Sequence, residues 1–251
     1  MGAARTEGPV TLVTGGGSGI GAAATGRLLD AGHRVTITGR SRERLERFAA
    51  EARTRAETKT GAQHDGDTGT LLTVPGDAGD HESVTEAVEA TVRRFGRLDN
   101  VVANAGISTH DTLADGDPER WREMLLTNVL GPAVLVKAAL PHLKGSRGRI
   151  VLVGSTAGVK NTPGNMYSVT KWALSALAEN ARVLVTGDGV GVTLVAPGRV
   201  DTPFWESREG GMPEGPSITA GQVAEAIVWA VGQPPGVDVN SVVVRPVGQI
   251  H

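Results

Sequence analysis

The sequence predicts an α/β fold: one doubly wound domain spanning residues 1–251, built on a seven-stranded parallel sheet flanked by helices. Three observations point to it. Apolar runs of about five residues recur along the chain with helix-period segments between them, the alternation of βαβ units. The first run leads straight into a glycine-rich loop and then a helix. Glycine supplies 35 of the 251 residues with no Gly-X-Y period, so it serves turns and close backbone approaches.

In chain order, the strands are expected at Val10–Thr14, Arg34–Thr38, Leu71–Pro75, Leu98–Ala103, Arg149–Val153, Gly191–Val195 and Ser241–Pro246. Each is short and apolar, as strands covered on both faces should be. Between them, Val84, Val88, Val92 and Phe95 put an apolar stripe on the segment from His81 to Gly96. Leu174, Leu177, Ala181 and Leu184 do the same after Tyr167. Gly32 and Gly96 stand where a left-handed residue ends a helix. The stretch Arg53 to Thr70 reads as a solvated helix end and loop, and Pro203 to Ser217 as an irregular excursion suited to a substrate lid. No repeat and no linker interrupts this pattern.

Composition excludes several functions. With 39% hydrophobic and 21% charged residues the chain can bury a core, and its net charge of −2 gives no basic face for nucleic acid or anionic membrane. The absence of cysteine removes disulfides, thiolate metal sites and a cysteine nucleophile. His33, His64, His81, His110, His142 and His251 are scattered, so no metal site is expected. The polar start, Met1 to Pro9, precedes an apolar run too short for a signal peptide or membrane span, which leads to the expectation of a cytoplasmic protein.

The opening glycine loop reads Thr14-Gly15-Gly16-Gly17-Ser18-Gly19-Ile20-Gly21. A pyrophosphate needs bare backbone N–H groups at a helix N-terminus, and side chains would hold it away. Gly15, Ser18, Gly19, Ile20 and Gly21 are therefore candidate cofactor contacts. Neither a P-loop nor a GxSxG motif is present. At the end of the second strand, where an NAD site offers a carboxylate, the chain has Gly39-Arg40-Ser41-Arg42. A guanidinium attracts the 2′-phosphate that a carboxylate would repel, so NADP(H) is expected, with Arg40 the main contact and Ser41 and Arg42 assisting.

Tyr167, the only tyrosine, is followed four residues later by Lys171, one of five lysines. On a helix the two share a face. A fixed cation favours the phenolate and should pull the phenol below its ordinary pKa of about 10. Ser155, at the end of the fifth strand, can polarise a carbonyl oxygen.

With these motifs in place, the chain resembles the short-chain dehydrogenase/reductase family from Val10 to about Pro246. The matching pieces are the TGxxxGxG loop, Asp77, Ala103-Asn104-Ala105-Gly106, Asn128, Ser155, Tyr167 with Lys171, and Pro197-Gly198-Arg199-Val200-Asp201-Thr202. The resemblance implies a Rossmann fold and an NADPH-dependent carbonyl reductase, or an alcohol dehydrogenase in reverse. Ser155 would then position the substrate oxygen, Tyr167 transfer the proton, and Lys171 lower the tyrosine pKa and hold the nicotinamide ribose. Asn128 would support a water relay to Lys171, Asp77 contact adenine, and Asn104 brace the sheet. Gly106, Pro197, Val200 and Thr202 would join the cofactor site, with Thr202 facing the carboxamide.

Ala103 stands where the family usually has Asn, and the Ser155 to Tyr167 spacing is one residue shorter than is common. The C-terminal part resembles an NADP-preferring branch that acts on 3-hydroxy acids, and family habit implies a homotetramer or homodimer. Pocket walls are expected from Ile107, His110, Thr156, Ala157, Met166, Phe204 and Trp205, with Trp205 touching substrate and Arg199 and Arg208 within reach of a carboxylate. Two alternatives stay open: an NAD-dependent alcohol dehydrogenase, and a non-catalytic NADP-binding regulatory protein.

Overall fold

A computed structural model of the protein describes residues 8–60 and 69–249. The expected loop over residues 61–68 with His64, residues 1–7, and His251 lie outside the described residues. In chain order the regular elements are β1 (Val10–Thr14), α1 (Gly19–Asp30), β2 (Arg34–Gly39), α2 (Arg42–Thr60), β3 (Leu71–Pro75), α3 (His81–Phe95) and β4 (Asn100–Ala103). They continue with α4 (Pro118–Leu125), a π-helical turn (Leu126–Leu130), α5 (Gly131–Ser146), β5 (Arg149–Val153), α6 (Met166–Val185), β6 (Gly191–Pro197), β7 (Val200–Asp201), β8 (Ile218–Thr219), α7 (Ala220–Val231) and β9 (Ser241–Val244).

Seven strands form one parallel sheet in the order β3-β2-β1-β4-β5-β6-β9. The chain works outward from β1 to β3, then returns to lay β4 against the other side of β1. This reversal opens a crevice beyond the carboxyl ends of β1 and β4, the place where such sheets bind ligands. β1, β5 and β6 are buried along their whole length, which is why they read as mostly apolar runs, with Thr11, Thr14, Arg149 and Thr193 buried among the aliphatic residues. Leu98 and Asp99, expected inside a strand, precede β4 instead. The Asp99 carboxylate accepts from the Val10 amide at 2.8 Å, and its own amide donates to the Val10 carbonyl at 2.9 Å, so this corner is held by a side chain as well as by the ladder.

Helices cover both faces. One layer packs Val84, Val88 and Phe95 of α3, Leu135 and Leu143 of α5, and Leu174 of α6 on the sheet. The other packs Leu28 of α1 with Ile227 of α7 over Ile37 and Val151. The stripe expected on α6 is corrected at one position: Leu184 is 63% exposed, and Leu174, Ala178, Ala181 and Val185 form the buried row. At about 100° per residue, positions four, seven and eleven beyond Leu174 stay within about 40° of it, whereas Leu184, ten beyond, lies about 80° round the helix. Gly32 and Gly96 have φ of 83° and 74°, the left-handed helix endings expected of them.

Two features were not anticipated. Pro118–Ser146 is one 29-residue helical run, apolar enough in length and composition to cross a membrane, and it packs against α3, β4 and α6. Its π turn carries Asn128 inward. The irregular excursion starts with a 3₁₀ turn, Pro203–Ser207, and the parallel β7–β8 pair draws its two ends together. A capping box between Thr219 and Gln222 then launches α7.

Candidate active site

Two adjoining clefts open above the carboxyl ends of the strands, of about 480 and 540 Å³, sharing Ile20, Asn104, Gly106, Ser108, Thr202 and Phe204 as common wall. The first runs over the glycine loop. Ser18 is the residue before α1 and makes no side-chain cap, and the first turn holds no acid. By contrast α3, α4, α6 and α7 are each capped by a side chain. The α1 N-terminus therefore presents uncapped backbone N–H groups and the positive end of its dipole to the cleft.

Thr14 and Asn104 hold this loop in shape. The Asn104 amide group donates to the carbonyls of Thr14 at 2.9 Å and Gly15 at 3.3 Å, and the Thr14 hydroxyl accepts from the backbone N–H groups of Asn104 and Ala105 at 3.1 Å each. Gly15 and Gly19 have φ of 67° and 52°, a backbone that side-chain-bearing residues resist. Gly15, Ser18, Gly19 and Ile20 line the cleft. Gly21 does not; a Cβ there would lie 2.2 Å from the Gly15 carbonyl oxygen, so its part is the close approach of α1 to the loop.

At the far end stand Arg40 and Ser41, as expected, and Arg44, which the sequence reading missed. Ser41 caps α2 by accepting from the Arg44 amide at 3.2 Å, which puts Arg44 one turn on, over the cleft. Arg42 turns outward to Glu46, so its expected assisting role is corrected. The signal for Arg44 was its spacing from the capping serine. Asp77 lines the same cleft and accepts from the Gly79 amide at 2.8 Å.

The second cleft holds Ser155, Tyr167 and Lys171 together, with Pro197, Val200, Thr202 and Trp205. Asn165 caps α6 by accepting from the Ser168 amide at 2.7 Å, which fixes the first turn on which Tyr167 sits. Ser155 accepts from the Ala157 amide at 3.1 Å and hydrogen-bonds with the Tyr167 side chain. The Lys171 ammonium lies 5.6 Å from the Tyr167 ring centre and donates to the Val153 carbonyl at 2.9 Å.

Burial governs the ionisation of this pair. The Tyr167 phenol is pushed up to about 12, chiefly by burial, with the Ser155 hydrogen bond working the other way. The Lys171 ammonium, 4% exposed, is pushed down to about 8 by burial. This reverses the direction expected from the Tyr-Lys spacing. The cation faces the ring and bonds to a carbonyl, so desolvation of the phenolate outweighs its attraction.

Asn128 is 1% exposed and lines neither cleft. Its amide accepts from the Ile107 N–H at 2.9 Å and donates to the Ile107 carbonyl and the Thr170 hydroxyl at 2.9 and 3.0 Å. It thus joins the loop after β4 to α6, the helix of Tyr167. Met166 also lines neither cleft, and Ile107 lines the first. His110 stacks on Trp205 at 5.5 Å and meets Phe204 edge-on at 5.2 Å, while Phe204 lies 5.6 Å from Tyr167.

Comparison with known proteins agrees with this fold. The model of the short chain dehydrogenase family matches residues 9–212. An uncharacterized oxidoreductase of Staphylococcus epidermidis is 32% identical over 246 residues, covering 97% of this chain and all of the relative. Among solved structures, an alcohol dehydrogenase from the archaeon Thermococcus sibiricus complexed with 5-hydroxy-NADP superposes with a TM-score of 0.83 at 30% identity, covering 97% of this chain and 98% of that one. The closed form of a serine dehydrogenase complexed with NADP+ gives 0.84 at 28% identity, covering 96% of each chain.

Proposed function

The chain belongs to the short-chain dehydrogenase family, and from that premise we propose that this oxidoreductase is an NADPH-dependent carbonyl reductase, running as an alcohol dehydrogenase in reverse. The observation that carries the reading is the continuity of the two clefts, which joins an uncapped helix N-terminus to the Ser155, Tyr167 and Lys171 cluster.

The residues present fit a nicotinamide dinucleotide. The glycine loop and α1 N-terminus receive the pyrophosphate, and Asp77 lies on the wall for the adenosine end. Arg40 and Arg44 offer two guanidinium groups to a 2′-phosphate, and no carboxylate stands beside them on the described wall except Asp77 and the distant-element Glu206. Gly106 leaves room beside Lys171, since a Cβ there would come within 3.4 Å of the ammonium. Bound there, the cofactor supplies the hydride.

Ser155 holds the substrate oxygen by a hydrogen bond, and Tyr167 donates its proton to that oxygen as charge develops on it. A phenol pushed up to about 12 stays protonated at neutral pH, the state that reduction requires. Lys171 holds the ribose and supplies positive charge below its pKa of about 8. Phe204 and Trp205 cover the site and limit water. Asn128 acts as a positioning residue through Ile107 and Thr170.

Exposed Leu130, Val169 and Trp172 of the π turn and α6, and Trp229 and Val243 of α7 and β9, support assembly into a homodimer or homotetramer. A cytoplasmic location goes with this reading.

The test is cofactor consumption against a panel of ketones, keto acids and quinones with NADPH and NADH. Turnover with NADPH preferred is expected. Arg40→Ala with Arg44→Ala should raise the KM for NADPH about 10–100-fold, the loss of charge-assisted hydrogen bonds, with the NADH value nearly constant. Equal effects on both cofactors would remove the 2′-phosphate assignment. Cofactor binding without turnover on any carbonyl would favour the regulatory alternative.

A further inference from the structure

The pocket over Tyr167 has a charge pattern that proton transfer to a ketone does not need. Beyond Lys171, its described wall holds Lys160, Arg199 and Arg208, and no Asp or Glu. A neutral, apolar carbonyl compound gains nothing from such a wall.

Arg208 is half-buried and fixed. Its Nη1 donates to the carbonyls of Glu209 at 3.2 Å and Gly211 at 2.9 Å, in a turn where Gly210 and Gly211 have φ of 77° and 67°. Its Nε and Nη2 have no partner among the described residues, and no described carboxylate pairs with it. The guanidinium is thus held by its own loop with donors left over. Such preorganisation lowers the cost of binding an anion.

His110 lines the same pocket, its ring nitrogen Nε2 3.4 Å from the Phe204 carbonyl. Burial pushes the imidazole below the ordinary histidine range, with the Phe204 carbonyl working the other way and the Arg208 charge adding to the lowering. Asp111 lies outside the pocket, accepting from Thr109 at 2.5 Å and from the Trp121 indole at 3.1 Å. His110 has φ of 57°, a left-handed backbone that non-glycine residues rarely adopt. Trp205 and Phe204 clamp its ring, and Phe204 continues to Tyr167. Tyr167 and His110 therefore stand on one aromatic surface with Phe204 and Trp205, and Arg208 lines the same pocket.

We propose that the substrate is a keto acid whose carboxylate docks on Arg208 while its carbonyl faces Ser155 and Tyr167. This rests on the carbonyl reductase reading and adds the substrate class. A planar guanidinium with unused donors matches a carboxylate in charge and in fork geometry.

The test compares pyruvate, acetoacetate and levulinate with their methyl esters, in the parent, Arg208→Gln and Arg208→Lys. At least one acid should exceed its ester in kcat/KM by tenfold or more in the parent. Arg208→Gln should bring that ratio near one through the KM of the acid, and Arg208→Lys should keep part of it. A purely structural role for Arg208 would slow acid and ester alike and overturn the proposal, as would esters that match or exceed all three acids. Dihydroxyacetone phosphate against dihydroxyacetone forms a further arm, and a phosphate preference above the carboxylate preference overturns the carboxylate assignment.

Calorimetric titration of the same acids in the presence of NADP+ separates this inference from the reading beneath it. Acid binding that Arg208→Gln weakens, without turnover of any carbonyl compound, upholds the anion site and removes the reductase reading. Turnover of esters and ketones without preference for acids does the reverse, and neither turnover nor acid binding overturns both.

Discussion

Tyr167→Phe is expected to lower kcat by about 10²–10⁴-fold, the usual contribution of a positioned proton donor, while NADPH binding and melting temperature stay close to the parent values. The ring keeps its neighbours, Phe204 at 5.6 Å and the Lys171 ammonium at 5.6 Å, so only the hydroxyl and its bond to Ser155 are lost. A variant that retains more than a tenth of parental kcat would remove Tyr167 from proton transfer. Because the chain has one tyrosine, ultraviolet titration adds an independent check. In the ligand-free protein the tyrosinate band should rise near pH 12, above the free-phenol value of about 10, and be missing in the variant. The same ordering predicts that alcohol oxidation, which needs the phenolate, speeds up as pH rises, whereas reduction does not require deprotonation.

Gly21→Ala is the second large effect. Its Cβ would meet the Gly15 carbonyl oxygen at 2.2 Å and the Asn104 side-chain nitrogen at 2.5 Å. Neither can step aside alone, because Asn104 is the donor that holds the Thr14 and Gly15 carbonyls. The loop must move, and with it the N–H groups of the α1 N-terminus. A loss of about 1–3 kcal/mol in stability is expected from the overpacking, with NADPH affinity falling tenfold or more. Thermal unfolding and fluorescence titration of NADPH measure the two. Gly145→Ala, in α5 with nothing within 4 Å of the added Cβ, is the control and should be neutral or slightly stabilising. Parental NADPH affinity in Gly21→Ala would show that the close approach is dispensable.

The sheet was legible because its strands are covered on both faces, so burial alone writes them into the sequence as apolar runs; three of the seven match to the residue at both ends. Gly32 and Gly96 were readable for a different reason, since a left-handed helix ending selects glycine. The site motifs were legible as residue types at fixed spacing, and the structure gathers Ser155, Tyr167 and Lys171 into one cleft. The π turn left no trace in the sequence, because its one extra residue per turn is paid for by Asn128 bonding to Ile107, 21 positions away in the chain. Arg44 was missed and Arg42 chosen because the turn of α2 that selects between them depends on which residue caps the helix.

The residue at each chemical position, the sheet that carries it and the abundance of glycine at the first loop belong to the sequence, since local sterics and hydrophobic periodicity are properties of neighbouring residues. The ionisation of Tyr167 and Lys171 does not. Spacing places a cation near a phenol, but burial sets the sign of both shifts, and burial is the sum of contacts from β5, α6 and the lid. The close approach at Gly21 and the unused donors of Arg208 were likewise decided only when segments met in the fold, because desolvation and close approach are relations between groups of atoms that the linear order keeps apart.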